Sequence, residues 1–350
     1  MPLLAASTPS KIAELRAAAY EVKLREIGRG VSLRGLIEIG NVCAKDCHYC
    51  GIRKSNRNVE RFRLSKDEII RSAKSVIEMR YGSLVLQSGE IESEEHTAFI
   101  EDVLREIMTL SNGALGVTLS LGEQTPETYR RWREAGASRY LLRIETSSPS
   151  LYARLHPADG KHSFERRRAC LRSLRECGYQ VGSGVMCGLP GQTLDDLARD
   201  IEFFAEENLD MIGMGPYIPH HETPLFSVKG QGLTVNGHWS ILNLALNMIS
   251  VTRLRLPDVN IAATTALQTL APDGREQGLL AGANVIMPNV TDTSYRRRYQ
   301  LYDGKPSLDE NAEQIRAALT ASVSAIGEHI LWDQRGDSPH FFKHAQHGGL

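Results

Sequence analysis

Three of the six cysteines lie within eight positions of one another. They belong to the segment CAKDCHYC, in which Cys43, Cys47 and Cys50 are spaced C-x3-C-x2-C. Clustered thiolates are soft ligands for iron–sulfur clusters or zinc, but structural zinc takes four protein ligands and only His48 stands nearby as a fourth. Three thiolates on a [4Fe-4S] cluster leave one iron open to an exogenous chelating molecule. The spacing therefore favours a reactive iron–sulfur centre over a disulfide framework or three packed core residues.

The composition excludes several classes of protein. The chain has 350 residues, of which 41% are hydrophobic and 24% charged, with 41 basic against 42 acidic side chains. These values are typical of a folded globular protein, and the balanced charge implies no general attraction to nucleic acid or to an anionic membrane. The apolar run at 241–251 is too short and too polar to span a bilayer, and the amino terminus lacks the basic segment of a secretion signal. We therefore expect a cytoplasmic protein that binds neither nucleic acid nor membrane.

Apolar β-rich runs alternate with segments of helical periodicity along most of the chain. Such alternation is typical of parallel strands buried beneath helices, and the number of repeats favours an α/β fold of the closed (βα)8 TIM-barrel type over an open doubly wound sheet. The predicted strands are 36–40, 84–87, 116–120, 140–144, 180–186, 211–215, 260–264 and 284–287. The predicted helices are 66–79, 96–110, 126–135, 164–176, 194–207, 238–255, 273–280 and 308–328.

No linker divides the chain, so we expect a single domain. Residues 1–30 are predicted to form an N-terminal helical extension, 31–328 the barrel, and 329–350 a C-terminal helical tail that is mobile or acts as a lid. The cysteine loop follows the first strand, at the end of the barrel where βα folds assemble their sites. The longest loop, 216–236, is expected at the same mouth. It carries His220 and His221, which could ligate iron or bind substrate, although exposed loop histidines are more common.

The cysteine segment resembles the signature of the radical S-adenosylmethionine (SAM) enzymes, whose fold is a full or partial βα barrel. The resemblance implies a [4Fe-4S] cluster with three cysteine ligands, whose open iron chelates SAM and cleaves it by one-electron reduction to a 5′-deoxyadenosyl radical. Taken singly, some matches also have plain interpretations, such as a strand-ending turn at 88–89 or a solvated helix face at 166–168. The residues that match SAM-binding positions of the family are Tyr49, Gln87, Ser88, Gly89, Glu90, Glu145, Arg167 and Met211, with Ser88 in place of a glycine.

Longer matches between residues 34 and 305 are similar to the biotin-synthase-like subgroup, which includes a maturase of iron-only hydrogenases. The matching segments are 117–123, 139–143, 188–193, 213–220 and 281–289. Arg143 with nearby hydroxyl groups would suit a carboxylate or a cyanide-bearing iron complex, although the threonines could instead pack a barrel layer. The candidate substrate residues, all expected at or near the carboxyl ends of strands, are Thr118, Arg143, Thr264, Thr265 and Tyr295.

Two features depart from the maturase pattern. Ile144 stands where the maturases commonly carry a histidine, which would remove a titratable group near the substrate cavity and leaves a different substrate open. Residues 303–350 contain no cysteine, so no second cluster is expected there. The remaining cysteines, Cys170, Cys177 and Cys187, are expected to pack in the core.

The resemblance implies a radical SAM enzyme that acts on a small iron- or cysteine-derived precursor of the di-iron hydrogenase cofactor. The expected partners are a reductant such as ferredoxin or flavodoxin and possible other maturation proteins. Three alternatives stay open: amino-acid rearrangement as in methylornithine synthase, sulfur insertion as in biotin synthase, and a non-catalytic iron–sulfur carrier. Sulfur insertion is disfavoured because few cysteines remain for a sacrificial second cluster.

Overall fold

The structure, a computed structural model, describes residues 2–228 and 240–347. Within these residues strands and helices alternate, as the apolar periodicity predicts. The strands are β1 (Gly30–Gly40), β2 (Ser83–Ser88), β3 (Gly116–Ser120), β4 (Arg139–Leu141), β5 (Gln180–Ser183), β6 (Met186–Cys187), β7 (Met211–Pro216), β8 (Asn260–Ala263), β9 (Val285–Ile286) and β10 (His329–Ile330). The α-helices are α1 (Pro9–Glu26), α2 (Lys66–Glu78), α3 (Glu94–Leu110), α4 (Pro126–Glu134), α5 (Pro149–Leu155), α6 (Phe164–Glu176), α7 (Leu194–Glu206), α8 (Ile241–Arg255), α9 (Thr265–Leu270), α10 (Gly274–Leu280), α11 (Thr293–Arg296), α12 (Ala312–Ala325) and α13 (Pro339–His347).

Eight parallel strands close into a barrel. Their order is β1-β2-β3-β4-β5-β7-β8-β9, and β9 pairs back onto β1 through Leu33 and Ile286. The short strand β6 pairs with the end of β7, and β10 pairs with the start of β1. This arrangement confirms the predicted (βα)8 TIM-type fold, whose site lies at the carboxyl ends of the strands.

The helices form because their sequences combine caps with one apolar face. Ser65 and Glu68 make a reciprocal capping box at the start of α2, and the helix buries Ile69, Ala73 and Val76 against the barrel. Complete burial of a side chain such as Ile69 or Val76 stabilises the fold by about 2 kcal/mol relative to exposure. No helix in the described part of the chain is long and apolar enough to cross a membrane.

The predicted core cysteines pack as expected, but several element boundaries differ. Cys170 and Cys187 are buried in the core, and Cys177 is half-buried against it. The predicted strand 180–186 is split into β5 and β6, and between them the backbone at Gly184 lies so close to β7 that a Cβ atom there would lie 1.9 Å from the carbonyl oxygen of Gly213. Residues 229–236 of the predicted loop and the first two residues of the predicted helix 238–255 lie outside the described residues.

The C-terminal segment closes the amino-terminal end of the barrel. Arg34 donates to the carbonyl oxygen of Gly336 at 3.1 Å, and the buried side chain of Arg139 pairs with Asp337. The expectation of a lid is therefore wrong, because the segment lies at the end opposite the mouth. Pairing of β10 with β1 directs the chain there. The division of the chain after residues 30 and 328 remains a proposal, and 348–350 lie outside the described residues.

Candidate active site

The cysteine loop runs from the end of β1 to the start of α2 and is organised by Arg61. The Arg61 guanidinium bridges distant parts of this loop, because one cation donates to four of its backbone oxygens. Sequence reasoning missed Arg61, because an arginine in a polar loop carries no local signal of this role. Its four acceptors, at 2.6–3.0 Å, are the carbonyl oxygens of Asn41, Ile52, Arg53 and Asn56.

The three cysteine thiols are free and half-buried. The backbone N–H groups of Lys45 and Glu90 donate to the sulfur of Cys43 at 3.4 and 3.3 Å, as they would to a thiolate ligand. Burial raises the pKa of Cys47 to about 12, and proximity to Cys43 adds to that shift. Bound iron would reverse this preference, because a cation stabilises the deprotonated sulfur.

The spacing of the sulfurs disfavours a single zinc ion. Sulfurs on one tetrahedral zinc, with Zn–S near 2.3 Å, lie roughly 3.8 Å apart. Within residues 2–228 and 240–347, however, the three cysteine sulfurs are not among the groups whose ligand atoms all lie within 4.8 Å of one another. At least one pair of these sulfurs is therefore farther apart than a single zinc ion allows, and three thiols on one loop fit a multi-iron cluster.

The segment after β2 packs directly on the cysteine loop. The N–H of Gly89 donates to Gly40, and the carbonyl oxygen of Glu90 accepts from Ala44 at 2.8 Å. A Cβ atom at Gly89 would lie 2.3 Å from the carbonyl oxygen of Val42 and 2.7 Å from Cβ of Cys43. Position 89 therefore requires glycine for close approach of the two backbones.

The two residues before Gly89 point in different directions. Gln87 lines the main cavity and donates to the hydroxyl of Tyr299 at 3.1 Å. The Ser88 hydroxyl donates to the carbonyl oxygen of Gly89 at 2.6 Å, and its side chain lines a separate cavity. The side chain of Ser88, which stands in place of a family glycine, thus hydrogen-bonds within its own turn.

A buried network of four charges lies beside the cysteine loop. Lys45 contacts Glu90 at 3.1 Å and Glu123 at 2.9 Å, and Arg167 contacts Glu123 at 2.6 Å and Glu90 at 3.9 Å. Each charge has at least two neighbours of opposite sign, Glu123 having Arg166 at 3.3 Å as a third, which offsets part of the cost of burial. Arg167 is only 8% exposed, so it does not lie on a solvated helix face. Sequence reasoning identified Glu90 and Arg167 but missed Lys45 and Glu123.

Arg143 and Glu145 form a second charged pair, at the wall of the main cavity. Two nitrogens of Arg143 donate to the two carboxylate oxygens of Glu145, both at 2.9 Å, and Arg143 also donates to the carbonyl oxygen of Gly213 at 2.6 Å. The backbone of Glu145 has a φ of 66°. Non-glycine residues adopt this conformation at a cost of about 1–3 kcal/mol, and such residues concentrate at functional sites.

Ile144 lies between these two residues but faces away from them. Its side chain is 0% exposed and belongs to the hydrophobic core, and its N–H donates to the hydroxyl of Ser183. Arg143 and Glu145 line the main cavity, whereas Ile144 does not. The expectation that position 144 bears on a titratable group near the substrate cavity is wrong, because its side chain lies in the core.

The main cavity opens at the carboxyl ends of the strands and holds about 1080 Å³ of empty space including its mouth. Of the residues singled out from the sequence, Tyr49, Cys50, Gln87, Arg143, Glu145, Thr264 and Thr265 line it. The hydroxyl of Thr264 donates to the carbonyl oxygen of Met214, and that of Thr265 accepts from Arg275. Lining residues that sequence reasoning missed include Glu38, Met186, Tyr302 and Lys305.

Three predicted site residues lie elsewhere. Met211 is the first residue of β7, and its sulfur accepts from Arg34 at 2.9 Å inside the closed end of the barrel. Thr118 and Met211 both line a small inner cavity of the barrel, separate from the main cavity. Tyr295, on α11, donates to Glu68 at 2.7 Å, outside the main cavity. The first residue of a parallel strand lies at the end opposite the site, and this rule could have excluded Met211 from the sequence alone.

Comparisons with known proteins agree with this geometry. Residues 37–204 match the family model of the Radical SAM superfamily. The chain is 46% identical over 309 residues to the [FeFe] hydrogenase maturase subunit HydE of Thermotoga maritima, covering 88% of this chain and 84% of that protein. It is 26% identical over 320 residues to 3-methylornithine synthase of Methanosarcina acetivorans, covering 91% and 85%.

The fold matches a solved structure along nearly its whole length. The crystal structure of methylornithine synthase superposes with a TM-score of 0.79 at 22% identity, over 95% of this chain and 93% of that one. The cysteine spacing, the fitted donor set and the HydE relationship agree with one another. The chain belongs to the radical SAM superfamily, in the biotin-synthase-like group, and is an enzyme that uses a [4Fe-4S] cluster to cleave SAM reductively.

Proposed function

We propose that this enzyme acts in the assembly of the di-iron cofactor of [FeFe] hydrogenases, on a small iron- or cysteine-derived precursor. The observation that supports this most is the 46% identity, across most of both chains, to a protein named as a HydE maturase. We further propose that it works in the cytoplasm with a reductant such as ferredoxin or flavodoxin and with other maturation proteins. When bound, the cluster and SAM supply a 5′-deoxyadenosyl radical, and the chain supplies the site that directs it.

Cys43, Cys47 and Cys50 are proposed to hold the cluster. The backbone at Gly89 and Glu90 is proposed to meet the amino group of SAM, because its close approach to Cys43 fixes it beside the cluster loop.

Further SAM contacts are proposed from the cavity wall and the buried charges. Arg167 is proposed to hold the SAM carboxylate, because guanidinium groups pair well with carboxylates and its own charge is already desolvated. Glu145 and Tyr49 line the cavity and are proposed to contact the ribose or amino group and the adenine. Met211 is not part of this proposal, since its side chain lies in the inner cavity.

The precursor is proposed to bind between two cations that line the same cavity. Arg143 pairs with Glu145 on one wall, and Lys305 pairs with the buried carboxylate of Glu38 on another. Because each cation is already paired with a carboxylate, we propose that their N–H groups hold the ligand by hydrogen bonds rather than by net positive charge. A carboxylate or a cyanide-bearing iron complex fits this arrangement, with Thr265 as a neighbouring hydroxyl.

A second candidate is the rearrangement of an amino acid. It is favoured by the similarity to 3-methylornithine synthase over 91% of the chain. A zwitterionic amino acid could also use the opposite charges of Arg143 and Glu145, which are already fixed as a pair at the cavity wall.

One assay distinguishes the two candidate functions. The protein is reconstituted anaerobically with iron and sulfide, reduced with dithionite and given SAM, and 5′-deoxyadenosine is quantified with and without a synthetic cysteine-bound iron carbonyl cyanide complex or lysine. Stimulation by the iron complex alone supports the maturase function, and equal stimulation by lysine favours rearrangement. Absence of 5′-deoxyadenosine with an intact cluster contradicts both.

A matched pair of variants tests the substrate site. Arg143→Lys keeps a positive charge but loses the bidentate geometry, so we expect it to weaken stimulation by the iron complex at least 10-fold, the range of one lost charge-assisted hydrogen bond. Arg130→Lys, on the exposed face of α4, is the control and should behave as the wild type. Equal stimulation of both variants would remove Arg143 from the proposed site.

A further inference from the structure

The loop after β7 brings His220 and His221 to a carboxylate from a distant part of the chain. Nδ1 of His221 lies 2.8 Å from Oδ1 of Asp303, and Nε2 of His220 lies 3.9 Å from the same oxygen. Within the described residues, these three form the single group of histidine, cysteine and acidic side chains whose ligand atoms all lie within 4.8 Å of one another. His220 is buried, whereas His221 and Asp303 are accessible to solvent.

Backbone contacts hold the group together. The N–H of Asp303 donates to the carbonyl oxygen of Pro219 at 3.1 Å, and the N–H of His221 donates back to Oδ2 of Asp303 at 2.9 Å. The two imidazole rings stack, with centroids 4.7 Å apart and planes 12° apart. The ring of His220 also packs on the cysteine loop, since a Cβ atom at Gly51 would lie 2.4 Å from it. The nitrogen and oxygen atoms are therefore preorganised rather than gathered by chance on a free loop.

We propose that His220, His221 and Asp303 bind one divalent transition-metal ion at the rim of the main cavity, separate from the iron–sulfur cluster. Imidazole nitrogens suit zinc and ferrous iron, and a carboxylate completes a two-histidine, one-carboxylate set. Ligand atoms about 2.1 Å from one tetrahedral ion lie roughly 3.4 Å apart. The separations of the two imidazole nitrogens from Oδ1 of Asp303, 2.8 and 3.9 Å, bracket that value, and all three ligand atoms lie within 4.8 Å of one another, so small side-chain rotations place them around one ion.

Binding of the metal ion would replace hydrogen bonds that these side chains make with metal–ligand bonds. The hydrogen bond between His221 and Asp303 is replaced by bonds from both to the ion. Ligation through Nε2 of His220 moves its ring proton to Nδ1, which gives up a 3.2 Å contact with the N–H of Glu222. Three protein ligands leave at least one coordination position for water or another small ligand.

The ion would join two segments that frame the cavity mouth. Ile218, just before the histidines, and Leu301 and Tyr302, just before Asp303, line the main cavity. A metal bridge between 220–221 and 303 therefore restrains both sides of the rim. We expect metal binding to slow amide hydrogen exchange in 218–223 and 300–303.

Zinc is the probe for the test. Reconstituted holoenzyme is freed of loosely bound metal with a chelator and dialysed anaerobically against Zn²⁺, and zinc is counted by mass spectrometry. The wild type should retain about one zinc per chain, whereas His221→Ala and Asp303→Asn should retain almost none with the iron content of the cluster unchanged. His329→Ala, which removes an exposed histidine on β10, is the control and should bind zinc like the wild type.

X-ray absorption at the zinc edge identifies the ligands. The proposal predicts nitrogen and oxygen ligands near 2.0–2.2 Å and no sulfur at 2.3 Å. Sulfur ligation would mean that zinc has entered the cysteine loop, and it would overturn the proposal. So would zinc retention by both variants, or failure of the wild-type holoenzyme to retain zinc.

Discussion

Substituting Gly89 by alanine tests whether the backbone after β2 must lie against the cysteine loop. The new Cβ atom would stand 2.3 Å from the carbonyl oxygen of Val42 and 2.7 Å from Cβ of Cys43, whereas ordinary contacts begin near 3.4 Å. Neither neighbour is the flexible end of a side chain, so the strand end and the loop must separate by about 1 Å. A misplacement of that size in a catalytic site can lower the rate by about 100-fold.

The assay separates cluster assembly from turnover. We expect Gly89→Ala to lose iron or, where the cluster forms, to produce 5′-deoxyadenosine about 100-fold more slowly than the wild type. Gly113→Ala is the matched control, because a Cβ atom there meets nothing within 4 Å. Its positive φ should lower stability by about 1 kcal/mol without affecting the cluster. Wild-type iron content and turnover in Gly89→Ala would refute the reasoning.

Three further predictions concern residues around the barrel. Ile144→His should lower the free energy of unfolding by about 2 kcal/mol, because it buries a polar ring in the core, and should leave substrate preference unchanged; a changed preference would place residue 144 at the cavity after all. Burial raises the pKa of Asp200 to about 7, so its protonated form stabilises the fold below pH 4 and that contribution is lost as the pH rises to 7. Asp200→Asn should flatten this part of the stability profile in urea unfolding, and an unchanged slope would contradict the assignment. Asp337→Ala leaves Arg139 buried without its carboxylate and should cost about 3–5 kcal/mol in thermal or urea unfolding without loss of the cluster, whereas wild-type stability would show that the pair is dispensable.

The barrel could be predicted from the sequence because each strand and helix carries its own periodicity. The same signal could not locate the break between β5 and β6, where Gly184 lies close to Gly213 on another strand. Nor did the periodicity predict that the C-terminal segment closes the amino-terminal end of the barrel. A short strand such as β10 has too few residues to show a pattern, and its partner Gly30 is about three hundred residues away.

The residues of the candidate site likewise divide into those with a local sequence signal and those that only the fold brings together. The cysteine spacing is local, so the sequence predicted the cluster ligands directly. The family resemblance assigned Met211 to the site, although its place at the start of the strand already put it at the opposite end of the barrel. Lys305 and Asp303 carry no motif, and only the fold brings them to the cavity and to the two histidines.

The most direct test of the central claim is the electron paramagnetic resonance spectrum of the dithionite-reduced, reconstituted protein before and after addition of SAM. If Cys43, Cys47 and Cys50 hold a [4Fe-4S] cluster with one open iron, the signal should change when SAM binds and should be lost in Cys47→Ala. A cluster signal that ignores SAM, or one that persists in Cys47→Ala, would contradict the claim.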